Sequence, residues 1–273
     1  MQKSFLGKIA HVIQTKAKKF YFNPYAPYGI SWFKLKILKH QDYNEPGEIN
    51  IGSTNVKFNH PPELLHSVKE IFIDKVYEIS TQQNSPYIID CGANIGLSVI
   101  YLKSRYPDSA IIAFEPDKNN FSLLQHNTKN LTGIQIENKA VWDADEKLIF
   151  TMDGTQSSSL VKGESSSLPS QEVTAIRLKN LIDREVFFLK IDIEGAEYRV
   201  IRDCREVLGK VKFLFVEYHG TFSEQKQLLE ILQILSESGF KFYIKEADNV
   251  YPTPFAIKKN KEFDIQINIF AFR

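Results

Sequence analysis

From residue 87 to the end of the chain, short apolar runs alternate with segments of helical length, and this alternation limits the possible folds most tightly. Strands fit residues 87–90, 110–115, 134–137, 186–192 and 212–218, with helices over 97–105, 118–130, 196–208 and 223–239 between them. A strand–helix–strand unit makes a right-handed crossover that leaves its strands parallel, so its repetition builds a parallel sheet covered on both faces. Residues 241–244 and 265–272 supply two more strands, and the last alternates in polarity as an antiparallel strand does. The expected class is α/β: a Rossmann-like, mostly parallel seven-stranded sheet with an antiparallel last strand. Residues 142–152 read as a hairpin. Residues 156–170, with seven serines plus Gly163 and Pro169, read as a mobile loop.

Residues 1–84 form an extension to that domain, which itself spans 85–273. Phe5, Leu6, Ile9, Val12, Ile13 and Phe20 recur at helical spacing over residues 4–20, among lysines, as in a basic amphipathic helix. The Pro- and Gly-containing stretch 23–29 ends it. Residues 48–51 and 55–58 then fit a short hairpin through Gly52, and residues 63–79 fit a second helix. The first 40 residues hold eight lysines and no acidic residue, a charge of +8 against +1 for the whole chain, so the remainder is acidic. The apolar stripe suits packing on the domain, packing on a second copy in a homodimer, or peripheral contact of residues 1–22 with an anionic membrane.

Composition excludes several classes. At 273 residues, 43% hydrophobic and 25% charged, the chain has globular composition. A net charge of +1 gives no basic coat for nucleic acid, and no nucleic-acid partner is expected. Cys91 and Cys204 are the only cysteines, which leaves neither a disulfide framework nor a CxxC metal pair. No apolar run reaches the ~18 residues of a membrane span, and lysines interrupt any signal-peptide core, so a cytoplasmic location is expected.

The strand at 87–90 ends on Asp90, followed by Cys91-Gly92-Ala93-Asn94-Ile95-Gly96 and a helix. Glycines there let backbone approach a ligand, and the helix start offers free N–H groups. A dinucleotide fingerprint would place glycine at 94 and 97, where this chain has Asn94 and Leu97. A pyrophosphate needs the bare second glycine; S-adenosylmethionine (SAM) has no phosphate and tolerates a side chain. With the strand pair after the last crossover, this favours SAM over NAD, and the alternative is a NAD-dependent or non-catalytic Rossmann-like protein. Glu115, before Pro116 at the end of the second strand, is placed to accept both ribose hydroxyls.

Open α/β sheets bind ligands beyond the carboxyl ends of their strands. There the fourth and fifth strands carry Lys190, Asp192, Glu194 and Glu197, then Glu217 and His219. Alternation puts Lys190, Asp192 and Glu194 on one side, and Glu217 with His219 on a common face. One of these groups could act as general base, or Asp192, Glu194 and Glu217 could hold a divalent cation such as Mg2+. Glu197 reads as an acid at a helix N-terminus. A DNA-base methyltransferase would want Asn/Asp-Pro-Pro-Tyr/Phe where this chain has Asp192-Ile193-Glu194-Gly195.

Asp90-Cys-Gly-Ala-Asn-Ile-Gly96, Phe114-Glu-Pro116, Leu189-Lys-Ile-Asp-Ile-Glu-Gly-Ala-Glu197 and Val216-Glu-Tyr-His219, in that order, resemble the FkbM family of methyltransferases. The resemblance runs from about residue 85 to 240. It implies the class I methyltransferase fold and SAM-dependent O-methylation of a hydroxyl on a sugar, a glycan or another natural-product acceptor. It carries SAM contact onto Asp90, Gly92, Asn94, Gly96 and Glu115, with Ala93 and Pro116 beside them.

Overall fold

The computed structural model describes residues 23–81, 83–151, 160–161, 170–255 and 263–273. The expected amphipathic helix over 4–20 lies outside the described residues. So does most of the serine-rich stretch. The chain divides into two compact units after Val76.

In the first unit, α1 (Trp32–His40) starts at Ser31, whose hydroxyl accepts from the Lys34 N–H at 3.2 Å. Sequence periodicity does not mark this helix, because lysines alternate with its apolar residues as they would in a strand. The expected hairpin is present as β1 (Gly47–Ile51) and β2 (Thr54–Phe58), antiparallel, with Gly52 at φ 58° in the turn. Its inward Ile49, Ile51, Val56 and Phe58 are buried. The helix expected over 63–79 is shorter. α2 (Pro61–Val68) runs into one π-type turn, Lys69–Ile73, and Lys75 then takes a left-handed φ of 55°. Residues 77–79 are engaged instead by the second unit, where Tyr77 packs edge-on against Phe215 and the Glu78 carboxylate accepts from Tyr101.

The second unit carries the expected sheet. In chain order it holds β3 (Tyr87–Cys91), α3 (Leu97–Arg105), β4 (Ala110–Phe114), α4 (Lys118–Thr128), β5 (Ile134–Glu137), β6 (Ala140–Trp142), β7 (Glu146–Thr151), β8 (Leu160–Val161), β9 (Ser170–Arg177), β10 (Val186–Ile191), α5 (Glu197–Cys204), β11 (Val211–Gly220), α6 (Gln225–Glu237), β12 (Lys241–Glu246) and β13 (Ile265–Phe272). Seven of these strands form one sheet in the order β12-β13-β11-β10-β3-β4-β5, with β13 antiparallel to β11 and β12 and the other pairs parallel. Every residue of β10 is buried, as an apolar run covered on both faces requires. The strand order reverses between β3 and β10, the place where open α/β sheets bind their ligands.

The region between β5 and β10 differs from expectation. Residues 142–152 are not a hairpin, because β6 and β7 flank β9 in a separate four-stranded sheet, β6-β9-β7-β8. β6 is parallel to β9 and β7 antiparallel to it, so each finds its partner some 30 residues away instead of next door. Leu160 and Val161, inside the expected loop, pair with β7. The apolar residues of this sheet, Trp142, Leu148, Val173 and Ala175, pack with Ala196 and Ile193 of the turn that follows β10. The small sheet thereby supports that turn from one side while the main core supports it from the other.

Candidate active site

Asp90 ends β3 fully buried. Its Oδ2 accepts from the Ser98 hydroxyl at 2.5 Å, Lys190 Nζ lies 3.5 Å from Oδ1, and Oδ1 itself accepts no hydrogen bond. The turn after it is held by two N–H groups, Gly92 and Ala93, that both donate to the Phe114 carbonyl on β4. Gly92 has a φ of 86°, and a Cβ there would stand 1.8 Å from the Asp192 carbonyl oxygen. Gly96 has a φ of 92°, and its Cβ would meet Leu124 of α4 at 2.8 Å. Both glycines therefore make room for protein: the end of β10 against one, a packed helix against the other. Asn94 is also left-handed, at φ 48°, which aims its N–H at Glu115 Oε2 over 2.8 Å.

Glu115 is buried at the end of β4, and its other oxygen accepts from the Asp117 N–H at 2.9 Å. Asn138 Nδ2 donates to the carbonyls of Glu115 and Pro116 and fixes this corner from β5's side. Burial pushes the Glu115 carboxyl up to about 8, against the two backbone N–H bonds that lower it.

On β10, Lys190 is buried and its ammonium is fully engaged. It donates to the Gly92 carbonyl at 2.8 Å and pairs with Asp192 at 3.1 Å and Asp90 at 3.5 Å. Burial acts to lower its pKa, but the two carboxylates outweigh burial and hold it well above the ordinary value. Lys190 thus ties β10 to the turn after β3 and orients Asp192, whose side chain is 24% exposed.

Glu194 stands at φ 53° on the turn after β10, a left-handed position that points it back towards β11. There His219 presents Nε2 to Glu194 and Glu217, each at 3.5 Å, and Nδ1 to Glu197 at 3.3 Å. Glu197 is more than an acid favouring a helix start. It is fully buried, its carboxylate accepts from the N–H groups of Ile193 and Gly195, each at 3.1 Å, and it fixes the imidazole as well. Phe263 lies against the ring at 5.1 Å. Burial works to lower the His219 pKa, yet the surrounding carboxylates raise it well above the ordinary value. With no cation among them, the carboxylates thus favour the protonated imidazole, and a metal ion at Nε2 would take the place of that proton. Glu194 is pushed up to about 8, chiefly by burial and despite His219. Asp192, Glu194 and His219 offer ligand atoms all within 4.8 Å of one another, and Glu217 adjoins them through His219.

These shifts set a pH dependence. An ordinary glutamate ionises near 4.5, so between there and about 8 folded Glu115 holds a proton that the unfolded chain has released, and stability falls as pH rises through that window. His219, raised above 6.5, contributes stability that is complete below that value and is lost as pH climbs through its folded pKa. Both act in one direction. Tm should fall from about pH 6 to about pH 9, and Glu115→Gln should flatten part of the slope; calorimetry showing a rising Tm for the parent would contradict this.

Residues 90–242 match the model of the methyltransferase FkbM domain. "Methyltransferase 1" of Beauveria bassiana (strain ARSEF 2860) is 31% identical over 216 residues, covering 68% of this chain and 84% of that protein. "Methyltransferase sdnD" of Sordaria araneosa is 31% identical over 175 residues, covering 50% of this chain and 68% of that one. Among solved structures, a methyltransferase FkbM from Methylobacillus flagellatus KT is 16% identical with a TM-score of 0.48, over 73% of this chain and 47% of that one.

Proposed function

We propose that this chain, which belongs to the FkbM family and is a methyltransferase, moves a methyl group from SAM to a hydroxyl oxygen of a sugar, glycan or other natural-product acceptor. Family membership sets aside the NAD-dependent alternative. The observation that carries the reading is the arrangement about the strand-order reversal. A buried carboxylate at the end of β4 and a free acceptor atom on Asp90 stand on one side, and an acid–imidazole cluster at the ends of β10 and β11 stands on the other.

The residues present fit SAM. Asp90 Oδ1 accepts no hydrogen bond and has the Lys190 ammonium 3.5 Å away, which leaves it able to accept one from a ligand N–H or O–H. Glu115, held by two N–H groups, keeps lone pairs on both oxygens for ribose hydroxyls. SAM supplies a methyl group on a sulfonium, open to in-line attack. The chain's task is to align the acceptor oxygen and to take its proton. In such a transfer the C–O bond would form as the C–S bond breaks, with S-adenosylhomocysteine as the leaving group, and Asp192 would take the hydroxyl proton and release it to solvent. Lys190 keeps Asp192 aimed, and His219 pairs with the neighbouring carboxylates and holds them in place. Among the described residues, no helix is long and apolar enough to cross a membrane.

The test begins with binding. Titration calorimetry should give a saturable SAM site that Glu115→Ala weakens by about 1–3 kcal/mol, the cost of leaving buried hydrogen-bonding groups without their partner. Unchanged affinity in that variant would remove Glu115 from the site, and absence of any SAM binding would overturn the donor assignment. Methyl release with sugar-bearing acceptors then tests the acceptor class.

A further inference from the structure

We propose that Asp192, Glu194 and the Nε2 atom of His219 form a binding site for one divalent first-row transition ion, with Mn2+ the best-suited probe. The inference deepens the reading above, and rests on it only for the role of the ion, which would hold the acceptor hydroxyl beside Asp192. The binding site itself is argued from geometry.

The imidazole has the arrangement of a metal ligand backed by a carboxylate. Its Nδ1 is committed to Glu197, which is itself locked by backbone N–H groups, so the ring cannot turn and Nε2 must face the cluster. A carboxylate behind a ligating histidine fixes the ring and raises its basicity. On the Nε2 side the ion pairs are long, at a spacing that the shared ligands of one ion also have. Two carboxylates from different elements stand 3.5 Å away, well beyond the roughly 2.7–2.9 Å of a charge-assisted hydrogen bond. Donor atoms bound about 2.1 Å from one ion stand about 3–3.5 Å apart.

Charge and access agree. Asp192, Glu194, Glu197 and Glu217 surround one imidazole, and among the described residues Lys190 is the one further cation paired with them, an excess of carboxylate that a divalent ion would neutralise. The ring is buried, with a side-chain exposure of 2%, whereas Asp192 and Glu194 are 24% and 27% exposed. The site is closed behind the histidine and open in front. Three protein ligands with open positions are the pattern of a catalytic ion, since a structural one is fully enclosed. The mixed nitrogen and oxygen set favours a first-row transition ion over Mg2+, which prefers oxygen alone. The ligand set thus differs from an all-carboxylate Asp192, Glu194 and Glu217 site by taking the imidazole.

The experiment is Mn2+ titration of the chelator-stripped full chain, without SAM or acceptor, followed by electron paramagnetic resonance. The expected result is loss of the free-ion signal to one equivalent per chain, with nitrogen modulation in the spin-echo spectrum from His219. Glu194→Gln and Asp192→Asn should each weaken binding at least tenfold, and Glu197→Gln by roughly 10- to 100-fold through the ring. Circular dichroism and Tm would establish that each variant is folded. The proposal is overturned if the free-ion signal persists at millimolar protein. It is equally overturned if Mn2+ binds without nitrogen modulation and with the same affinity in folded Glu194→Gln and Asp192→Asn. SAM titration of the same preparation reports separately on the methyl donor, so either result can fail alone.

Discussion

Asp192→Asn is expected to lower methyl transfer by roughly 100-fold or more while leaving SAM affinity within about twofold of the parent. Asparagine keeps the size and shape of the side chain and removes its charge. The carboxylate stands at the end of β10, a quarter exposed, with the Lys190 ammonium 3.1 Å away on its inner side. That leaves the outer side for an acceptor hydroxyl. The loss is expected in kcat, because proton removal from the acceptor belongs to the transition state and not to SAM binding. A direct base and a metal ligand are both disabled by this change. Stripping the parent with EDTA separates them: loss restored by Mn2+ identifies the ligand role, and indifference to both treatments leaves the direct base. Full activity in folded Asp192→Asn would take the residue out of the chemistry.

The second large effect is on stability. Gly92→Ala should destabilise the protein by about 3 kcal/mol or more, a fall in Tm of roughly 6–12 °C for a domain of this size. Two costs combine. The residue sits at φ 86°, where a Cβ meets the following carbonyl, and the added carbon falls 1.8 Å from the Asp192 carbonyl oxygen. Backbone cannot swing aside as a side-chain tip can, so the turn after β3 and the end of β10 must separate. Gly52→Ala is the control, since it is also left-handed, at φ 58°, but has nothing within 4 Å. It should cost only about 1–2 kcal/mol. Similar Tm values for the two variants would show that the close approach at Gly92 relaxes freely.

The main sheet was legible because its strands are short apolar runs closed by turn residues, and each pairs through a local helical crossover. Asp90, Glu115, Asp192 and His219 could be named for the same reason, since strand ends in such a sheet are where side chains meet. The four-stranded sheet was hidden because β6 and β7 find β9 only after the serine-rich stretch, and a parallel β6–β9 pair leaves no turn signature. α1 was hidden by its alternating lysines. At the site, spacing could not show which charges would be buried. Lys190 looked like a candidate acid or base and is a buried counter-ion. Glu197 looked like a helix-start acid and is the group that fixes both the turn and the imidazole, because the chain doubles back at Glu194. The left-handed Glu194 is not marked by residue type, since glutamate seldom adopts it. The glycines were recognised by place, but each yields its space to protein atoms.

The strand order has a consequence for how such proteins diversify. Residues 87–137 lie on one side of the β3–β10 junction and residues 186–272 on the other. Within the sheet these halves share a single pair of strands, reinforced by the Lys190 bond to the Gly92 carbonyl. Mutations that reshape the loops after β10 and β11 therefore fall on a flank whose neighbours are not those of Glu115. On the reading proposed above, changes on the acceptor flank would leave the bonds that hold Glu115 unaltered. The same division marks where a chimera should be joined: within residues 138–185, taking β10 and the turn after β3 from parents that match at the lysine and the glycine.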